Sequence, residues 1–130
     1  YIEPVRKQTY DAKFTLTSHP EDLDTANEII EATAETHSMN MKRTLELRSC
    51  LEEISARIFG AMPEAKIYAT VLYGEAISLR MTYEGRKYNP FRITADDDEI
   101  DIMSLKIIKH RAIRASFGCS GGINTVHVVV

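Results

Sequence analysis

The stretch IYATVLYGEAISLRMTY, residues 67–83, decides the fold class. Ile67, Ala69, Val71 and Tyr73 recur at every second position, Gly74 and Glu75 interrupt the pattern, and Ile77, Leu79, Met81 and Tyr83 resume it. A period of two belongs to extended backbone whose alternate side chains are buried, so the stretch predicts a β-hairpin with one apolar face. Such a face must be covered, and the flanking sequence supplies the cover. Upstream, Leu47, Leu51, Ile54 and Ile58 recur at i, i+4, i+7 and i+11, a helix with a buried stripe that Gly60 and Pro63 bring to a stop. Before it, Leu23, Ala26, Ile30 and Ala34 follow Ser18, Pro20 and Glu21, a capping-box pattern that opens a first helix over about 20–36.

Residues 8–17 place Tyr10, Ala12, Phe14 and Leu16 on one side of a first strand. After the hairpin, residues 84–90 are turn-rich and the acidic run Asp96, Asp97, Asp98, Glu99 follows. Ile102, Leu105, Ile108 or Lys109, and Ala112 then mark a third helix over about 100–113. Two strands flank Cys119 to Gly122, and the β-branched stretch ending in Val128, Val129 and Val130 reads as an inner strand. The order is β-α-α-β-β-α-β-β. The expected class is α+β, a two-layer sandwich with helices on one face of a mixed, mostly antiparallel sheet.

A chain of 130 residues, 44% hydrophobic and 27% charged, predicts one domain over residues 1–130. The net charge of −3 and pI near 5.8 provide no overall positive field, so no nucleic-acid partner is expected. No apolar run approaches the roughly 18 residues that span a bilayer, and no signal peptide opens the chain, so no direct membrane insertion is expected. Cys50 and Cys119 stand far apart without metal-ligand spacing, which suits structural thiols in the reducing cytoplasm. The chain opens on Tyr1 rather than Met, which suits a piece of a longer polypeptide, with an anchor or partner domain outside it.

The second helix, with His37-Ser38-Met39, Leu45, Leu47 and Leu51-Glu52-Glu53, resembles the N-box helix of the GHKL (histidine-kinase-like) ATPases. The anti-sigma-factor serine kinases are the branch it is most similar to. The resemblance runs from the first strand to the last, and implies the Bergerat, histidine-kinase-like ATPase fold. In that family a glutamate acts as base and an asparagine four residues on holds Mg²⁺. Here Glu53 stands at the base position and Arg57 at the metal position, and a guanidinium carries only donors and a fixed positive charge. The stretch from Tyr83 to Phe91 resembles the second family box in Gly85, Tyr88, Asn89 and Pro90, with Tyr83 where an aspartate reads adenine. Ile102 and Ser104 fall on the glycines of the third box, which lets backbone N–H groups approach phosphate. Over the lid position lies the segment from Arg92 to Asp101, whose carboxylates repel a triphosphate of about −4 charge.

The resemblance therefore implies a degenerate anti-sigma-factor-kinase-like domain, a regulatory protein-interaction module with weak or no ATP binding and no cofactor. Its implied partners are a STAS-type anti-anti-sigma protein, a sigma factor or an adjacent domain of its own polypeptide, and family members pair as homodimers through the first strand and helix. The alternative is a divergent but active serine/threonine kinase using ATP and Mg²⁺, with Glu53 as base and Asn89 or Ser104 replacing lost ligands. A third reading is a small-molecule sensor whose cleft is lined by Tyr83 and Tyr88.

Plainer readings stand beside these. Glu52 and Glu53 suit a solvated helix surface, and Arg57 suits an i, i+4 ion pair with Glu53 as well as a cation filling the old metal position. Lys106, Lys109, His110, Arg111 and Arg114 suit a solvated face as well as a grip on an acidic partner, and the acidic run suits a solvated loop. Met39, Met41 and Met62 suit core gap-filling or an adaptable surface. No metal site and no nucleophile at Cys119 are expected.

Overall fold

A computed structural model describes residues 10–95 and 97–130. Gln8 and Thr9 of the expected first strand, and Asp96 of the acidic run, lie outside the described residues. The hairpin forms as β2 (Ile67–Leu72) and β3 (Ser78–Glu84), with Tyr68 opposite Thr82 and Val71 opposite Leu79. Strand β1 (Ala12–Leu16) pairs with β2, β5 (Ile123–Val129) pairs with β3, and β4 (Arg114–Ser120) lies outside β5. The five-stranded order is β1-β2-β3-β5-β4, which makes β5 the inner strand its β-branched composition demands.

Every pairing is antiparallel, not mixed. The helix pair between β1 and β2 turns the chain back, so those neighbours run oppositely. Strands β3 and β4, joined through one helix, do run in the same direction, but β5 is inserted between them. The β4–β5 turn is Gly121-Gly122, both at positive φ (60° and 79°), as a two-residue hairpin turn requires.

Register aligns Phe14, Ala69, Met81, Val126 and Phe117 in one row, and Ala12, Val71, Leu79 and Val128 in the next. These rows, Phe117 apart, are buried under α1 (Pro20–Thr36), α2 (Met41–Ala61) and α3 (Glu99–Arg111). The helices contribute Ala26, Ile30 and Ala34, then Leu47, Leu51, Ile54 and Ile58, then Leu105 and Ile108. The opposite sheet face, with Lys13, Thr70, Arg80, His127 and Ser116 in one row, carries no helix among the described residues. The architecture is α+β in two layers. No helix among the described residues is long and apolar enough to cross a membrane.

Several element ends differ from the sequence pattern. The first helix is capped at His19 without a side-chain bond, and Ser18 does not form the expected box. Asp22 instead accepts from the Thr17 backbone N–H at 3.0 Å and from the Thr17 hydroxyl, tying the strand end to the first turn. Gly60 lies within the last turn of α2, and Met62 is its C-cap. The third helix begins at Glu99 and stops at Arg111, where Ala112 turns extended to enter β4. Met62 is core, Met39 packs against it, and Met41 is 78% exposed, so only part of the methionine set fills the interior. Cys50 is buried and Cys119 exposed, both free.

Candidate functional site

Arg57 falls on the buried stripe of α2 because it lies three residues after Ile54, one turn along the same face. Its head is fully engaged. Nε donates to the Pro90 carbonyl at 2.5 Å, Nη1 to the Asp101 carbonyl at 3.2 Å and Nη2 to the Arg92 carbonyl at 3.1 Å. The Asp97 carboxylate lies 3.5 Å from Nη2. The expected ion pair with Glu53 is not formed, because the guanidinium is drawn toward carbonyls that have no other side-chain donor. Glu53 accepts instead from the Ser104 hydroxyl at 2.5 Å, and Glu52 from the Asn27 amide at 3.2 Å. The adjacent glutamates thus bind α2 to α3 and α1, which is more than a solvated surface.

The turn after β3 is built on Tyr83 and Asn124. Tyr83 is 1% exposed, and its hydroxyl donates to the Tyr88 carbonyl at 2.7 Å. Burial pushes its phenol pKa up, so the group stays neutral. Asn124, wholly buried on β5, donates to the carbonyls of Tyr83 at 3.3 Å and Arg86 at 3.0 Å, and accepts from the Tyr88 N–H at 3.1 Å. Gly85 holds φ 137° and donates to the Gly122 carbonyl, with Met62 Sδ 3.1 Å from where a Cβ would sit. Only glycine fits there. Asn89 accepts from the Phe91 N–H at 2.9 Å, an Asx turn that stabilises its own loop.

From Asp97 onward the acidic run builds a cap rather than a loose loop. Asp98 Oδ1 accepts from the Asp101 N–H at 2.9 Å, and Asp101 Oδ2 from the Asp98 N–H at 3.0 Å, a reciprocal capping box. The backbone donor lowers the Asp98 pKa. Asp97 accepts from the Thr94 N–H at 2.7 Å and faces Arg57. Ile102 and Ser104 lie inside the helix, and the Ile102 N–H is already bonded to the Asp98 carbonyl.

Of the sequence-derived site residues, Glu53 and Ser104 touch each other, Arg57 grips the segment that contains Asn89, and Tyr83 and Gly85 shape the turn before it. They do not line one cavity. The nearby cleft of about 450 Å³ is bordered by Ala56, Arg57, Gly60, Ala61, Arg86, Tyr88, Thr94, Asp97 and Asp101. It is polar, and Tyr83 is in the core beneath it, so the expected sensor pocket between Tyr83 and Tyr88 is not formed. At the positions that the resemblance would give to Mg²⁺ and phosphate stand a guanidinium already bonded to loop carbonyls and a helix N-terminus closed by two carboxylates, groups whose chemistry does not suit a cation or a triphosphate there. From the sequence alone, Asp97 and Asp98 read only as part of a solvated run, and Asn124 is given no role. An asparagine inside a β-branched strand is the signal that marks Asn124, since strands disfavour it unless it has buried partners. Compared with known protein families and with curated proteins, the chain matches none.

Proposed function

We propose that the chain is a regulatory protein-interaction module on a histidine-kinase-like ATPase scaffold of the anti-sigma-factor-kinase kind, with its nucleotide site closed by its own side chains. The single observation that carries the reading is Arg57, buried and bonded to the carbonyls of Pro90, Arg92 and Asp101. A residue so placed supplies from within the protein the positive charge that a metal would supply with nucleotide, and holds the 89–101 segment down without either. The Asp98–Asp101 box supports the same reading, because it satisfies the α3 N-terminus internally. Such a domain acts through docking: on a STAS-type anti-anti-sigma protein, a sigma factor or a neighbouring domain of its own polypeptide.

Titration calorimetry and thermal shift with Mg-ATP test it. The expected result is no saturable heat and no rise in Tm up to millimolar nucleotide, with no phosphate transferred to a serine of a STAS-type protein. Saturable binding at micromolar nucleotide overturns the reading in favour of an active kinase based on Glu53.

A further inference from the structure

The edge of the sheet at β4 lacks the devices that keep native edges from pairing. Among the described residues nothing pairs with its outer side, and Ala115 through Ser120 contain no charge and no proline. The other edge, β1, carries a charge, Lys13, as its second residue. Ladder alternation fixes which groups of β4 are free. Ile77 and Val130 exchange both backbone bonds, so on β5 the even-numbered residues from Asn124 to Val128 bond β3 and the odd-numbered ones bond β4. On β4, Arg114, Ser116, Gly118 and Ser120 therefore bond β5, and the N–H and C=O groups of Ala115, Phe117 and Cys119 point outward.

The stretch of chain that forms this edge, from Ile102 to Val130, carries one sign of charge. No aspartate or glutamate occurs after Asp101, whereas Lys106, Lys109, Arg111 and Arg114 all do. All four are exposed, and none meets a carboxylate among the described residues. They gather along α3 and at the start of β4. Beside them a hollow of about 260 Å³ is lined by Phe91, Ile108, Ala112, Ile113 and Ala115, with Lys109 and Arg114 also bordering it. It lies on the helix side of β4, where an added strand would place alternate side chains.

We infer that β4 is a strand-addition site: it takes an extended segment of a partner protein as a sixth, antiparallel strand, with apolar residues at alternate positions and acidic residues at its C-terminal end. The antiparallel direction brings that end beside Arg114, Lys109 and Arg111. Outward main-chain groups supply affinity, the hollow selects an apolar side chain, and the cations select acidic sequence. The inference rests on the proposed docking function and names the surface that performs it.

The test uses a fluorescent peptide, Thr-Val-Thr-Val-Thr-Asp-Glu-Asp, and a twin with lysines for its acidic residues. Anisotropy should saturate with the acidic peptide only. Joint Lys109→Glu and Arg111→Glu substitution should weaken it by about tenfold or more and admit the lysine twin. N-methylation of one alternate set of peptide amides should abolish binding and methylation of the other set should not, a signature independent of how any variant folds. Bound peptide should also slow alkylation of Cys119. Equal binding of the twins, equal loss from both methylated sets, or unchanged Cys119 reactivity overturns the inference. So does self-association of the free protein that shields Cys119, which makes the occupant a second copy. Mg-ATP titrated into the same sample reports separately on the regulatory reading: nucleotide binding defeats that reading alone, and failed peptide binding without nucleotide binding defeats the strand-addition site alone.

Discussion

Arg57 and Asn124 each hold a stretch of irregular backbone by side-chain bonds to main-chain groups. A loop near the core has no ladder to satisfy its carbonyls, so a buried polar side chain must do it. Replacing Arg57 with Met keeps the stem volume, removes the donors for Pro90, Arg92 and Asp101, and leaves Asp97 without its cation. The expected cost is about 3 kcal/mol in urea unfolding, and Arg57→Lys should recover less than half because an ammonium cannot span three carbonyls. At Asn124 the chemistry predicts a sign. Asn124→Asp is isosteric but turns the donor that serves Tyr83 and Arg86 into an oxygen facing two carbonyls. It should cost more than Asn124→Ala at neutral pH. The introduced carboxyl has its folded pKa raised, so the penalty grows as pH rises through the unfolded value near 3.9, and the two variants should converge in stability on acidification toward about pH 4. Parallel urea melts across pH check this.

At the scale of elements, periodicity made the helices and strands legible because each, β4 apart, has one face against a common core. The 67–83 alternation and the α2 stripe appear in the structure where the apolar residues put them. The ends were less legible, because caps are chosen by partners outside the element. Asp22 reaches back to Thr17, which no local pattern around Ser18 reveals, and the acidic run looks like a solvated loop until Asp98 and Asp101 are seen bonding each other's N–H groups. That cap gives a pH dependence. The Asp98 carboxyl has its pKa lowered from 3.8, first by the Asp101 N–H, so its contribution is complete above 3.8 and is lost as pH falls through the folded value. The Tm gap between the protein and its Asp98→Ala variant should hold steady from about pH 7 to about pH 5 and shrink below the unfolded value. A gap that persists unchanged into strong acid would mean that the carboxylate charge plays no part in the cap.

For the whole molecule, the two-layer construction buries one sheet face under three helices and ends that cover before β4. The site was legible only in part for a related reason: Arg57, the 83–92 turn, α3 and β5 converge from distant parts of the chain, and a single sequence shows residue types but not which carbonyls they will meet. The same geometry predicts how protection from hydrogen exchange is distributed. Amides of β2, β3 and β5 lie inside the ladder with Ile67, Leu79, Met81 and Val126 fully buried beside them, and should exchange only through global unfolding. Within β4 protection should alternate along one strand: Ser116 and Gly118, bonded to β5, slow, and Ala115, Phe117 and Cys119, directed outward, fast. The thiols should divide likewise. Burial pushes Cys50 up to about 12 and shields it, so alkylation of the native protein should label Cys119 alone until the chain unfolds. Uniform protection from Ala115 to Cys119 in dilute, monomeric protein would mean that another part of the chain already fills the edge, and β4 would then be closed to any incoming strand.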